Sequence, residues 1–292
     1  MTRLKDNLKF TLSALWTCVF AVLLTALASL VWGALFSANL QFAPEIPWSA
    51  AIMALVLLAI WMLLDGRWGR RARQARRDLL RAKRMALPVF ARAVLAGGCS
   101  LIALSGLWIV LFQVLNMPGN RSDFSRLPAL TYFSALAVAA LSGAITEEAG
   151  FRGYFQNTLE RRLSPAFAII VSALAMIPEH ASTQGFVLPT ILFYLAVDVM
   201  LGSMAYLTQS ILPGIVIHAV GLMIFFAIIW PGDRLRESIW INGPDLWFWI
   251  HVAQAALFGT LALAAFGALA KNRAESRFDV LAGRAAANPV PA

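Results

Sequence analysis

The chain has 292 residues, of which 60% are hydrophobic and only 13% charged, with a mean hydropathy of +0.72. Soluble domains carry about 25% charged residues, so this composition excludes a water-soluble globular fold. The net charge of +9 invites a nucleic-acid reading, but its placement beside apolar runs of membrane-spanning length excludes that partner and makes the charge a topology signal.

Taken in chain order, residues 1–128 hold three predicted spans, near 10–36, 48–64 and 89–115. The first begins with Arg3, Lys5 and Lys9, and Ala26-Leu27-Ala28 resembles a signal-peptide cleavage site. The apolar run continues through Val31, Trp32, Leu35 and Phe36, which predicts an uncleaved helix. Cys18 and Cys99 fall inside spans without metal-ligand spacing and read as small packing residues. Between the second and third spans, the loop 66–88 carries Arg67, Arg70, Arg71, Arg73, Arg76, Arg77, Arg81, Lys83 and Arg84. Leu79 and Leu80 interleave with this charge over 66–84, which predicts either a surface-lying helix in contact with anionic lipid or a solvated topology determinant.

Residues 129–230 hold four more spans, near 130–158, 165–187, 189–208 and 211–230, and 231–270 holds an eighth, near 246–270. The tail 271–292 ends in Ala-Asn-Pro-Val-Pro-Ala and is expected to be disordered. Arg161, Arg162 and the tail cations fall on the same side as the basic loop when eight spans alternate. The expected architecture is therefore an all-α, multi-pass membrane bundle of about eight helices, with both termini cytoplasmic and the cell (inner) membrane as its location.

The chemistry concentrates between Leu141 and His218. Ionisable groups at membrane depth are costly and mark function by default, and Glu147, Glu148 and Arg152 stand near the end of an apolar stretch. On a helix Glu148 and Arg152 share a face and can pair, while Glu147 is turned from Glu148 by about 100° and can point elsewhere. Ser164-Pro165 is a natural helix start, with Glu147 17 residues before Ser164 and His180 16 after it. An antiparallel hairpin then sets Glu147 and His180 at nearly equal depth. His218 comes from a later helix that starts near Pro213-Gly214. One Glu and two His thus converge on a polar cavity inside the bundle.

A carboxylate there can serve as general base to a water, while two histidines either bind a metal such as zinc or donate to a developing oxyanion. The possible metal set is Glu147, His180 and His218, but no His-Glu-x-x-His string is present, and a metal-free site fits equally. Asp198, mid-span, reads as a cavity residue, a proton relay or a partner for Arg152. Glu179 reads as a boundary carboxylate, and His251, beside Trp247 and Trp249, as part of an interfacial aromatic belt.

Glu147-Glu148-Ala149-Gly150-Phe151-Arg152-Gly153-Tyr154, followed by Leu159-x-Arg161-Arg162, resembles the first motif of the CPBP family of intramembrane proteases. That family, also called Abi, includes the type II CAAX prenyl endopeptidases and bacteriocin-processing and immunity proteins. Its pattern is Glu-Glu-x-x-x-Arg, then Phe-x-x-x-His, then His-x-x-x-Asn, and the likeness runs over about 130–225. The resemblance implies Glu147 as the water-activating carboxylate, Glu148 and Arg152 as supporting residues, and His180 and His218 as site histidines. Family members have been described as metalloproteases and as metal-independent glutamate proteases, so the resemblance implies no particular cofactor. Two positions depart from the pattern: Met176 stands for the Phe, and Leu222 for the Asn. Leucine donates no hydrogen bond.

Three functions follow from these residues. The first is an endopeptidase acting on small or membrane-tethered peptides and proteins through Glu-activated water. The second is a catalytically impaired immunity or scaffold protein, which Leu222 favours. The third is a proton-coupled transporter relaying through Glu147, Asp198 and the histidines, against which stands the lack of inverted repeats.

Overall fold

In a computed structural model, residues 2–67, 73–117 and 127–287 are described. Among these the chain is helical throughout, without strands. Helix α1 (Thr2–Phe42) is longer at both ends than the expected span, because nothing from Thr2 to Phe42 breaks a helix before Pro44. Asn39 ends it. Its buried amide donates to the carbonyls of Ala43 and Ile46 at 2.8 and 2.9 Å and accepts from the Ser49 N–H, which fixes the turn into α2 (Trp48–Leu64).

Seven helices of 18 residues or more are apolar enough to cross a membrane, and α2, the eighth expected span, has 17 residues. At about 1.5 Å per residue that is roughly 26 Å, a little under a typical hydrocarbon thickness of about 30 Å. Large apolar side chains remain exposed along α1, among them Leu12, Leu15, Trp16, Leu23 and Leu30. A surface of this kind faces hydrocarbon rather than water, and the protein is an integral membrane protein.

The basic loop, expected either as a surface-lying helix or as a solvated topology determinant, packs part of its length onto the bundle. Its helix α3 (Arg73–Leu80) ends with Leu80 fully buried, and Asn157 donates to the carbonyls of Asp78 and Leu79 at 2.7 and 3.0 Å. A Cβ at Gly153 would stand 2.8 Å from the Leu80 carbonyl oxygen, so glycine opens the notch that receives the loop. Arg81 then adopts the left-handed conformation (φ 58°) and turns its guanidinium onto Glu160, both side chains at most 8% exposed. The loop docks because an apolar pair and a buried ion pair find partners on the bundle itself; Arg67, more than half exposed, still faces outward. At the start of the loop, Asp65 accepts from Arg67 and Arg77. Burial alone would raise its pKa, but the two guanidiniums hold the carboxyl below its ordinary value.

Helix α4 (Leu87–Val114) crosses next, and α5 (Ala129–Glu147) runs on without a break through a π-helical segment, Glu148–Gln156, into α6 (Asn157–Leu159). Ser164 caps α7 (Pro165–Gln184), its hydroxyl accepting from the Phe167 N–H, as its place before Pro165 predicts. Helix α8 (Leu188–Thr208) follows. Helix α9 (Leu212–Ile224) continues through a π turn, Phe225–Ile229, into α10 (Trp230–Gly232). The short α11 (Ile239–Asn242) precedes α12 (Leu246–Ala287), which packs along α4.

The expected disorder of 271–292 is corrected as far as Ala287, since α12 continues that far; 288–292 lie outside the described residues. Ala, Arg, Lys and Glu dominate 270–287, and these sustain a helix beyond the apolar stretch. Arg162 donates to Asn7 near the start of α1, and Arg273 of α12 stacks on Tyr206 near the end of α8. The docked loop and the cationic ends of α1 and α12 thus gather at one end of the bundle.

The Arg81–Glu160 pair gives a direct check on the docking. Arg81→Ala leaves Glu160 buried without its cation and is expected to destabilise the protein by about 3–5 kcal/mol. The measurement is thermal unfolding in detergent, with Arg67→Ala, an exposed member of the same loop, changing it by no more than about 1 kcal/mol.

Candidate active site

The π-helical segment is buried over its whole length. Its glycines explain how it packs: a Cβ at Gly150 would lie 3.0 Å from the backbone of Ala21, as one at Gly153 would lie against Leu80. The segment is thereby clasped between α1 and α3, and its widened turn is a feature often found at functional sites.

Arg152 is 1% exposed and anchors the site. One terminal nitrogen, Nη2, donates to Asp198 Oδ1 at 2.5 Å; the other, Nη1, lies 3.5 Å from Glu148 Oε1 and donates to Met176 Sδ at 2.8 Å. The Glu148–Arg152 pair expected from their spacing is present, and Asp198 resolves into a partner of Arg152. Met176, where the resemblance has phenylalanine, supplies a sulfur acceptor rather than a ring face.

Each of these carboxylates also holds a histidine. Glu148 Oε1 is 3.0 Å from His218 Nδ1, and Asp198 Oδ2 is 3.2 Å from His180 Nε2. A Cβ at Gly214 would stand 2.8 Å from Glu148 Oε2, so the glycine at the start of α9 lets that helix approach the carboxylate. His180 lies within α7 and not in a loop, and its ring stacks on Tyr194 with centroids 4.2 Å apart and planes 12° from parallel.

Glu147, the last residue of α5, turns away from Arg152 as the helical rotation requires. Its Oε2 makes no hydrogen bond and stands 3.6 Å from His218 Nε2. That distance is too long for a direct hydrogen bond.

Glu147, His180, Asp198 and His218 border one cavity of about 390 Å³, together with Glu179, Tyr194 and Leu222. The helical hairpin thus brings Glu147 and His180 to one depth. Glu179 is a correction: it is not a boundary carboxylate but lines the cavity, where Oε2 accepts from Thr25 at 2.8 Å. His251 hydrogen-bonds Gln254 and does not line the cavity. Tyr194 has one signal in the sequence, its position four residues before Asp198 on the same face of α8.

The sequence left Glu147, His180 and His218 open as a metal set. Among the described residues no three His, Cys, Asp or Glu side chains group as ligands. His180 directs Nε2 at Asp198, and His218 directs Nδ1 at Glu148.

Residues 129–224 match the family model described as type II CAAX prenyl endopeptidase Rce1-like. No curated protein and no solved structure matches the chain. The matched segment runs from α5 to the end of α9 and contains every residue of the Arg152 network, so the likeness to CPBP-type proteases read from the motifs holds. At the level of the family it supports an intramembrane endopeptidase of the CAAX type, with peptide or protein substrates.

At the far end of the cavity, the Trp108 indole donates to both oxygens of Asp233, at 3.1 and 3.3 Å, and Arg236 pairs with the same carboxylate. Burial pushes the Asp233 carboxyl up to about 6, against the pull of Trp108 and Arg236. A carboxyl raised on folding favours the protonated fold, so its stabilising contribution is present below about pH 4 and lost as pH rises through about 6. The unfolding temperature of the wild type in detergent is therefore expected to fall from this source between pH 4 and pH 6. Asp233→Asn removes that part of the slope, and an unchanged slope in the variant contradicts the assignment.

Proposed function

We propose that this protein is an intramembrane endopeptidase in which Glu147 activates water against a peptide carbonyl. The observation that carries the reading is the pairing pattern. Glu148 and Asp198 are both neutralised by Arg152 and both orient a histidine, while Glu147, which borders the cavity, has no ion pair with Arg152 among the described residues.

Water in the cavity beside Glu147 gives a proton to the Glu147 carboxylate as its oxygen attacks the carbonyl carbon. The C–O bond forms and the carbonyl electron pair moves onto oxygen. When the tetrahedral species collapses, that pair returns, the C–N bond breaks, and the proton held by Glu147 passes to the leaving amine. Glu148 fixes His218 and Asp198 fixes His180; Arg152 holds the two carboxylates in place. The substrate is a small or membrane-tethered peptide entering a cavity inside the bundle. The cationic end of the bundle faces the cytoplasm, with both termini there, and the outward arginines of the basic loop meet anionic lipid. Leu222 favours one second reading, an immunity or scaffold protein that binds peptides without cleaving them.

Purified protein in detergent, mixed with a fluorogenic peptide library, is expected to cleave. Glu147→Gln, which keeps shape and removes the base, is expected to lower turnover by about 10²–10⁴. Chelator should leave the rate unchanged, and loss of activity restored by zinc would overturn the metal-free step. A folded wild type that binds peptides without cleaving them would establish the scaffold reading.

A further inference from the structure

The proposed reaction develops negative charge on the carbonyl oxygen, and a donor must meet it. The histidines are poor candidates in their neutral forms. A carboxylate accepts and does not donate, so the nitrogen facing it carries the hydrogen. His218 therefore spends Nδ1–H on Glu148, and His180 spends Nε2–H on Asp198. The remaining ring nitrogens are then lone pairs.

Two further donors at the cavity are committed, and Leu222 offers none. Trp108 donates its indole N–H to Asp233, and Ser105 donates to the Leu101 carbonyl. Tyr194 differs. Its ring is held flat against His180, and its hydroxyl makes no hydrogen bond among the described residues. Asp198, one turn further along α8, grips the edge of the same imidazole, so both residues are fixed relative to His180. The hydroxyls of Ser29 and Ser142 also border the cavity, but Tyr194 is the one whose ring packs against a site histidine.

We propose that Tyr194 is a catalytic residue whose hydroxyl donates a hydrogen bond to the oxyanion of the tetrahedral intermediate. The inference rests on reading the cavity as an endopeptidase site. The phenolic proton stays on Tyr194 throughout: the hydrogen bond strengthens as the electron pair moves to the carbonyl oxygen and weakens when the C–N bond breaks.

The test is single-turnover and steady-state peptide hydrolysis by the full chain in detergent, comparing wild type, Tyr194→Phe, Glu147→Gln and the double variant Tyr194→Phe/Leu222→Asn. Tyr194→Phe keeps the ring stacked on His180 and loses only the hydroxyl, so its unfolding temperature should match the wild type. Its kcat is expected to fall by about 10²–10³, the effect of removing one oxyanion donor, with KM unchanged. An amide at position 222, on the same cavity wall, is expected to recover part of the loss. Full kcat in Tyr194→Phe, or a rise in KM alone, overturns the role of Tyr194 while leaving the endopeptidase reading intact. A folded wild type with no Glu147-dependent turnover overturns both.

Discussion

A guanidinium enclosed in a helical bundle has to be neutralised where it stands, and much of this protein's interior is arranged to do so. Arg152 sits between Glu148 on its own turn and Asp198 on α8, with Met176 of α7 against one nitrogen. Removing one partner from such a cluster costs several kcal/mol because it strands a buried charge, even where the intact cluster adds little net stability. What the network contributes is position: the same two carboxylates hold His218 and His180. Three helices and the π-helical segment are thereby locked in one register around a shared set of charges.

The backbone accommodates this through close approaches. Gly150, Gly153 and Gly214 stand where a Cβ would strike Ala21, Leu80 and Glu148 respectively. The widened turn that begins at Glu148 follows directly on Glu147. Adjacent carboxylates consequently have opposite fates, one paired with the cation and one turned to the cavity. In a medium with little water to solvate an unpaired group, that difference is the ground for proposing Glu147 for proton transfer and Glu148 for holding structure.

Much of this was legible before any fold was known. Charge sparsity and run length give the bundle, the spacing of Glu148 and Arg152 gives their pairing, and Ser164-Pro165 with its near-equal flanks gives the hairpin that levels Glu147 with His180. Other features were not legible, because they depend on which faces meet. Glu179 follows Pro178 and looks like a residue at a helix end, yet α7 continues past it and turns it toward Thr25. The basic loop has the composition of a lipid-facing helix, but Leu80 and Arg81 dock onto a notch and a carboxylate contributed by residues more than 70 positions away.

The sequence by itself determined the class of the molecule and the candidate residues Glu147, Glu148, Arg152, His180, Asp198 and His218, since hydropathy and residue spacing along one helix are local quantities. Only the tertiary structure decided how that inventory is shared out. It assigned Asp198 to both Arg152 and His180, left a Glu147 oxygen without a donor, and laid Tyr194 against His180. Those outcomes depend on distances between side chains of different helices, which no pattern along a single segment contains.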